Sequence, residues 1–203
     1  MARISQMFDV LNAVTVNAVI VPKAVGERDL AAEHFAHLCH NDLVLLDRGY
    51  PAFWLFALIL KQGAHFCARM KTGSWNIVKD FVATGLDEQT VVLQPNYIAQ
   101  QECKKRKLST KRMLIRLIRV ELEDGEIEVL ATSLLDHQTY PVSIFKELYH
   151  LRWPVEEQYK IFKARLELEN FSGTSVLAVY QDFHAKVFAA NLTAILARPA
   201  QEV

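Results

Sequence analysis

Residues 42–71 constrain the fold more than any other part of the sequence, because two different apolar patterns alternate there. Asp42–Asp47 is a short continuous apolar run that ends in a carboxylate, which is typical of a strand buried on both faces. Ala52–Gln62 has a helical pattern with Gly63 at its end, and His65–Lys71 has the pattern of a second strand. Strand, helix and strand in this order predict a parallel crossover and therefore an α/β domain.

The segments before residue 42 predict a hairpin and a helix. Met7–Val21 is rich in β-branched residues and predicts two strands that turn near Asn12–Ala13. Glu27–Cys39 has the apolar spacing of an amphipathic helix.

From Thr72 to about Tyr140 the pattern changes to short β segments, including Thr90–Leu93 and a hairpin that turns at Asp124-Gly125. After Pro141 the pattern is helical, over Val142–Leu151, Val155–Glu169 and Val176–Ala197. We therefore expect an α/β core that is interrupted by a β-rich insertion and completed by helices.

Composition excludes several classes of protein. With 203 residues, 51% of them hydrophobic, the chain is long enough for one domain with a core and too apolar to be disordered. No apolar run reaches the ~18–20 residues of a membrane-spanning helix, and the first residues show no signal pattern. The three cysteines are widely spaced, so no disulfide scaffold is expected. We expect a cytoplasmic protein with no membrane partner.

The net charge of zero would disfavour a nucleic-acid partner, but the charges are unevenly distributed. The stretch between Cys103 and Val120 contains no acid and eight basic residues: Lys104, Lys105, Arg106, Lys107, Lys111, Arg112, Arg116 and Arg119. Five acids follow within residues 121–128. Two interpretations remain open, a solvated hairpin with cross-strand ion pairs and a patch that contacts phosphates.

Two carboxylates are candidates for catalysis. Asp47 ends the first strand of the crossover, and Glu156 lies in the first turn of a predicted helix. Carboxylates of this kind bind Mg²⁺, and a pair of Mg²⁺ ions aligns the oxygens in phosphoryl transfer. The alternative is structural: Asp47 would cap a turn and Glu156 would stabilise a helix N-terminus.

A polar stripe surrounds Glu156. At about 100° per residue, Tyr149, Arg152, Glu156 and Lys163 fall within an arc of roughly 60° on one helix face. The stripe combines one acid with two cations and a phenol, groups that suit phosphate oxygens. An ordinary ion pair between Arg152 and Glu156 on a solvated face is the alternative.

These residues resemble a known family. The spacing Tyr149-x2-Arg152-x3-Glu156-x6-Lys163, within YHLRWPVEEQYKIFKARLELENFSG, resembles the YREK signature of bacterial DDE transposases of insertion-sequence family four. DLVLLDRGYPAFWLF resembles the motif of the family's second Asp, and AHFCARMK resembles the strand after it. The resemblance covers about residues 3–195.

The resemblance implies an α/β fold, a ribonuclease-H-like mixed sheet with flanking helices, a β-rich insertion and a missing first core strand. It divides the chain into a first part of the core at 1–72, the insertion at 73–140, and a helical part at 141–203 that contains the Glu helix.

The resemblance also implies an activity, metal-dependent cleavage and strand transfer at transposon ends. Asp47 and Glu156 would be the second and third acids and would hold two Mg²⁺ ions, with Mn²⁺ as a substitute. The partners would be DNA, both transposon ends and target, and a second copy of the chain on paired ends, close to the nucleoid. The residues expected to contact DNA are Tyr149, Arg152, Lys163 and Trp153, together with Lys104, Lys105, Arg106 and Lys107 of the basic stretch.

One element of the family pattern is missing. The first acid belongs to an Asp-Gly-Ser/Thr strand, and no Asp-Gly occurs upstream of Asp47; the one at Asp124-Gly125 lies in the hairpin. Asp9 is a weak substitute. We therefore expect an inactive fragment of a catalytic domain. The alternatives are a non-catalytic DNA-binding or assembly remnant, and an unrelated α/β protein with an accidental spacing.

Other residues fit several roles. Trp153 would stack on a flipped base or anchor the core, and Trp75 has no assignable role. The spacing of His34, His37 and His40 suggests zinc, but it matches no familiar finger, and a partly exposed helix face is favoured.

Overall fold

The computed structural model describes residues 2–122, 125–155, 160, 173 and 175–201. Contacts group the chain into two compact units, Met1–His37 with Leu151–Val203, and Leu38–His150. The predicted division at residues 72 and 140 separates a core from an insertion, whereas these two units are defined by contacts. The predicted division therefore stays a prediction.

The first unit is built on a β-hairpin. Strands β1 (Ala2–Asp9) and β2 (Val14–Pro22) are antiparallel and form a two-stranded sheet. Ala13, in the turn between them, has φ of 55°. The predicted pair of strands with a turn near Asn12–Ala13 is therefore confirmed.

Two helices pack on this hairpin. Helix α1 (Glu27–His34) lies against both strands and continues into a short 3-10 turn, Phe35–His37. The helix that we name α6 (Val176–Gln201) lies on β2, where Phe183 is fully buried against Ala18 and Ile20.

A side-chain amide joins α6 to the backbone of β2. Asn191 accepts a hydrogen bond from the N–H of Thr15 at 2.8 Å and donates one to the carbonyl of the same residue at 2.8 Å. Both polar groups of a buried residue are satisfied in this way, since an unpaired buried backbone group would be costly.

The second unit contains a five-stranded mixed sheet in the described part of the chain. Its strands are β3 (Leu43–Leu46), β4 (His65–Met70), β5 (Glu88–Leu93), β6 (Met113–Glu121) and β7 (Ile127–Thr132), in the order β3-β4-β7-β6-β5. Strands β3 and β4 are parallel, and all other neighbours are antiparallel. The predicted α/β class, the parallel crossover and the hairpin before residue 133 are confirmed.

Helix α2 (Phe53–Lys61) makes the crossover between the parallel strands. Its first five residues are all buried, and Phe56 stacks on Phe66 of β4 with ring centroids 4.1 Å apart. The sequence Phe53–Ala57 contains no polar residue because this part of the helix lies entirely within the core.

One prediction for this unit was wrong, and another was incomplete. The run Asp42–Asp47 was expected to be buried on both faces, but Leu43, Val44 and Leu45 are only half-buried, because β3 has one neighbour and forms an edge of the described sheet. Residues 72–140 were expected to contain short β segments, but they also form two helices. These are α3 (Asn76–Thr84) and α4 (Tyr97–Lys105).

The signals for these helices are local and were present in the sequence. Asn96 caps α4 by accepting a hydrogen bond from the N–H of Ala99 at 2.9 Å, and Gly85 ends α3 with φ of 74°. The apolar residues at the start of α4, Tyr97 and Ile98, are exposed, so the usual apolar periodicity was weak. Helix α5 (Phe145–His150) follows β7 after a 3-10 turn at Val142–Ile144, within the predicted helical region.

His34 gives the first unit a dependence on pH. The imidazole is 2% exposed and lies between the Ser5 hydroxyl at 2.9 Å and the Asn17 side chain at 3.0 Å. Burial, helped by nearby His37, holds the pKa of His34 below its ordinary value. The unfolded chain therefore binds a proton more readily than the folded chain.

We expect the melting temperature to fall as the pH is lowered from about 6.5 towards the folded pKa of His34, and to show no further effect of this residue above 6.5. His34→Gln should flatten this dependence, since an amide does not titrate, whereas His150→Gln, at an exposed position, should not. Thermal unfolding followed by circular dichroism over pH 4–8 measures the effect. An unchanged pH profile in His34→Gln would contradict the assignment.

Candidate functional site

Asp47 lies where β3 ends, at the carboxyl edge of the parallel pair. Its carbonyl accepts a hydrogen bond from the N–H of Tyr50 at 2.9 Å, which closes a turn through exposed Arg48 and Gly49. The side chain is half-buried, and its carboxylate has no hydrogen bond or ion pair to any residue that the structure describes. The predicted turn is present, but it is closed by the backbone, so the carboxylate stays available as an oxygen ligand.

Tyr149 approaches the same strand end from α5. Its ring is 6% exposed and packs in a cluster that includes Cys67, Ile118 and Phe145. Its hydroxyl donates to the carbonyl of Leu46 at 3.3 Å, one residue before Asp47. Tyr149 therefore links α5 to the end of β3, and its contact with DNA stays a prediction.

The remaining residues of the YREK spacing are described only in part. Arg152 is half-buried and Trp153 is 53% exposed. Glu156 and Lys163 lie outside the described residues, and so does the distance from Asp47 to Glu156.

Asp9, the weak substitute for a first acid, has a structural role. Its carboxylate accepts hydrogen bonds from the N–H groups of Leu11 and Asn12, both at 3.0 Å, and from the Asn12 amide at 2.6 Å. These bonds cap the turn between β1 and β2.

No group of three His, Cys, Asp or Glu side chains suited to a metal occurs among the described residues, a set that excludes Glu156. His34, one of the three histidines considered for zinc, uses both ring nitrogens within the protein. Cys67 is fully buried, and burial raises the pKa of its thiol to about 12, so this cysteine is protonated at neutral pH.

The basic stretch separates into structural and exposed cations. Five side chains are exposed at the end of α4 and in the segment before β6: Lys104, Lys105, Lys107, Lys111 and Arg112. We call these five residues the basic surface. The hairpin interpretation does not hold for Lys104–Lys107, which occupy a helix end and a turn, with φ of 53° at Lys107.

Arg106, Arg116 and Arg119 have partners inside the protein. The guanidinium of Arg106 lies 4.0 Å from the centre of the Trp54 ring and pairs with Glu102. Arg119 donates to the carbonyls of Val82 at 2.9 Å and Leu86 at 3.1 Å. The contact predicted between Arg106 and DNA stays a prediction.

Arg116 is fully buried on β6. It pairs with Glu88, donates to the carbonyl of Tyr140 at 2.6 Å, and lies 5.3 Å from the Phe145 ring centre. Burial raises the pKa of Glu88, but hydrogen bonds from His137 and Arg116 outweigh it, so the pKa of this carboxyl lies below its ordinary value. Glu88 is thus ionised at neutral pH and compensates the buried cation.

A cavity of about 540 Å³ opens at the edge of the sheet where the carboxyl ends of β3 and β4 lie. It is lined by Arg48 and Arg69, by Lys71 and the Thr72–Ser74 loop, and by Glu126 and Glu128 of the hairpin. Sequence reasoning missed this cavity, although Arg48 directly follows Asp47 and Lys71 ends the second strand motif. Their positions after two parallel strands could have indicated the cavity, because the carboxyl ends of parallel strands meet at one edge of the sheet.

The acids of residues 121–128 pair differently from the expectation. Glu128 on β7 contacts Arg69 on β4 at 2.5 Å, and Glu126 lies 3.8 Å from the same guanidinium. Glu128 on β7, and Glu126 just before this strand, therefore both pair with Arg69 of β4.

Comparison with protein families decides the family. The model of the transposase DDE domain matches residues 3–192. The chain belongs to this family. No curated protein and no solved structure matches it. Within the described residues of this DDE domain, no helix combines the length and hydropathy needed to cross a membrane.

The hydroxyl of Tyr149 provides a test of the link to β3. Tyr149→Phe should lower the free energy of unfolding by about 1 kcal/mol, because the buried carbonyl of Leu46 loses a donor. Tyr97→Phe, at a position 74% exposed, should leave it unchanged. Urea denaturation measures both. If Tyr149→Phe has no effect on stability but weakens DNA binding, the hydroxyl serves the ligand and not the fold.

Proposed function

We propose that the chain is a catalytic domain of a transposase of insertion-sequence family four, an enzyme that cleaves and joins DNA at transposon ends. Membership of the DDE family supports the reaction class. The observation that carries the proposal is Asp47: a carboxylate at the carboxyl edge of a parallel strand pair, with no ion pair or hydrogen bond to the described residues.

The proposed fold is ribonuclease-H-like, with an insertion before the Glu helix. A five-stranded mixed sheet with flanking helices supports it. In the proposed arrangement, β5, β6 and β7 belong to the insertion and extend the sheet from β4, since β7 pairs with β4.

Asp47 and Glu156 are the proposed metal ligands. The carboxylate of Asp47 is half-buried and has no hydrogen bond or ion pair to the described residues, so it suits a hard cation such as Mg²⁺. When bound, a pair of such ions would activate the attacking hydroxyl and stabilise the leaving oxygen. The protein itself positions Asp47. The Tyr149 hydroxyl donates to the carbonyl of Leu46, and the Tyr50 N–H donates to the carbonyl of Asp47, so both bonds fix the backbone at the end of β3.

The proposed DNA contacts fall into two groups. Arg152, Trp153, Lys163 and Tyr149 follow the YREK spacing near the transposon end. Lys104, Lys105 and Lys107 are exposed and contact the backbone at a second place, with Arg106 between them. A homodimer on paired ends, close to the nucleoid, completes the proposal.

A non-catalytic DNA-binding remnant is the second candidate. The role of Asp9 supports it, because this carboxylate is engaged in the hairpin turn and does not replace a first acid. Metal binding separates the two candidates, since the remnant needs no metal.

Asp47→Asn should weaken Mn²⁺ binding by about ten-fold or more, because a charged ligand is replaced by a neutral one. Asp80→Asn removes the same charge at an exposed position on α3 and should have no effect. Electron paramagnetic resonance of Mn²⁺ measures both affinities. Equal binding by Asp47→Asn and the unmodified chain would exclude Asp47 as a ligand and favour the remnant.

Replacing Lys104 and Lys105 together by Gln should weaken binding to duplex DNA roughly five-fold for each lost phosphate contact at physiological salt. The slope of log K against log salt should become shallower by about 0.9 per contact. Lys61→Gln with Lys79→Gln is the matched control, with the same charge change at exposed positions. Fluorescence anisotropy across a salt series gives both quantities. If both double variants lose affinity equally, the effect reflects net charge and the basic surface has no special role.

A further inference from the structure

The cavity lined by Arg48, the residue after Asp47, contains three cationic and two acidic side chains. These side chains differ in whether they have an ion-pair partner. Arg69 is 17% exposed and lies against Glu128, which is 8% exposed, with Glu126 on the same guanidinium. Both carboxylates of the cavity therefore lie on the guanidinium of Arg69. What remains to attract a ligand is the charge of Arg48 and Lys71.

Arg48 and Lys71 are both exposed, and their side chains have no ion pair or hydrogen bond within the described parts of the chain. Lys71 directly follows β4, which ends at Met70, and Arg48 lies two residues after Leu46, the last residue of β3. The register pairs Leu46 with Ala68, so both cations come to the same edge of the sheet as Asp47.

The rest of the lining suits an oxyanion. Thr72 and Ser74 contribute hydroxyl donors, and their loop is closed by a hydrogen bond from the Ser74 N–H to the Lys71 carbonyl at 3.2 Å. Nothing lies within 4 Å of where a Cβ on Gly73 would be, so the loop borders open space. Guanidinium, ammonium and hydroxyl donors around one cavity are a set that binds phosphate.

We propose that this cavity binds a backbone phosphate of DNA, that Arg48 and Lys71 are its ligands, and that Glu128 withholds Arg69 from it. The proposal rests on the proposed function, because the DNA would be the strand presented to Asp47. Glu128 acts as a positioning residue: its carboxylate neutralises Arg69 and competes with phosphate for the same donors.

The three cations of this cavity should contribute unequally to the affinity for duplex DNA. Arg48→Gln and Lys71→Gln should each weaken duplex binding several-fold and make the salt slope shallower by about 0.9. The double variant Arg69→Gln with Glu128→Gln should leave the slope unchanged, since it removes a cation and the carboxylate that compensates it. Glu128→Gln should strengthen binding and steepen the slope by about 0.9, because it releases Arg69.

Fluorescence anisotropy with a duplex oligonucleotide across a salt series measures these slopes, and circular dichroism verifies the fold of each variant. Because Glu128 is buried, Glu126→Gln, at a position 58% exposed, is the milder second variant and should strengthen binding to a smaller extent. An equal loss in Arg48→Gln and in the double variant Arg69→Gln with Glu128→Gln would overturn the role of Glu128. Unchanged binding in both Arg48→Gln and Lys71→Gln would overturn the site and leave the proposed function intact if the Lys104 and Lys105 variant still loses affinity.

Inorganic phosphate distinguishes DNA from a free anion as the ligand. We expect it to compete with the duplex only weakly, and to shift the side-chain NMR signals of Arg48 and Lys71 at high concentration. Tight binding of inorganic phosphate without duplex binding would overturn DNA as the ligand and the proposed function with it. If neither phosphate nor duplex shifts these signals, the cavity is not an oxyanion site.

Discussion

The parallel pairing of β3 with β4 is the constraint on which the second unit depends. It requires a crossover, and α2 provides one whose first five residues are buried and whose Phe56 stacks on Phe66 of β4. Because both strands run in one direction, their carboxyl ends lie at one edge. Asp47, Arg48 and Lys71 are at this edge for that reason alone, although Arg48 and Lys71 are 23 positions apart in the sequence.

The charges of this unit are divided by burial. Arg116 is fully buried and depends on the ionised Glu88, and Arg69 depends on Glu128, because a buried charge without a partner is costly. Exposed cations carry no such requirement and remain available for ligands. This division explains how a chain with zero net charge presents a basic surface, since Glu88 compensates the buried Arg116, and Glu126 and Glu128 compensate the half-buried Arg69.

Secondary structure was predictable where the pattern was local. The hairpin β1–β2, the crossover, the hairpin β6–β7 and helix α6 all follow from apolar periodicity and turn residues. Helix α4 was missed although Asn96 marks its start, because its first residues, Tyr97 and Ile98, are exposed and weaken the amphipathic pattern. Helix α3 was missed although Val78 and Phe81 have helical spacing and Gly85 marks its end. Asp47 was expected at the end of a strand and directly follows β3, whereas the half-burial of β3 depended on its number of neighbours in the sheet.

Local sequence patterns predicted the fold class of the second unit, the family motifs and the candidate acids, because each of these depends on residues that are close together in the sequence. Pairing across the chain settled the rest: that Tyr149 binds the carbonyl before Asp47, that three of eight basic residues serve the fold, and that Glu128 occupies Arg69. These contacts join residues 28 to 103 positions apart, as between Glu88 and Arg116 or Leu46 and Tyr149. Composition and periodicity contain no information on such separations, because a charge looks the same in the sequence whether the fold buries it with a partner or leaves it in water.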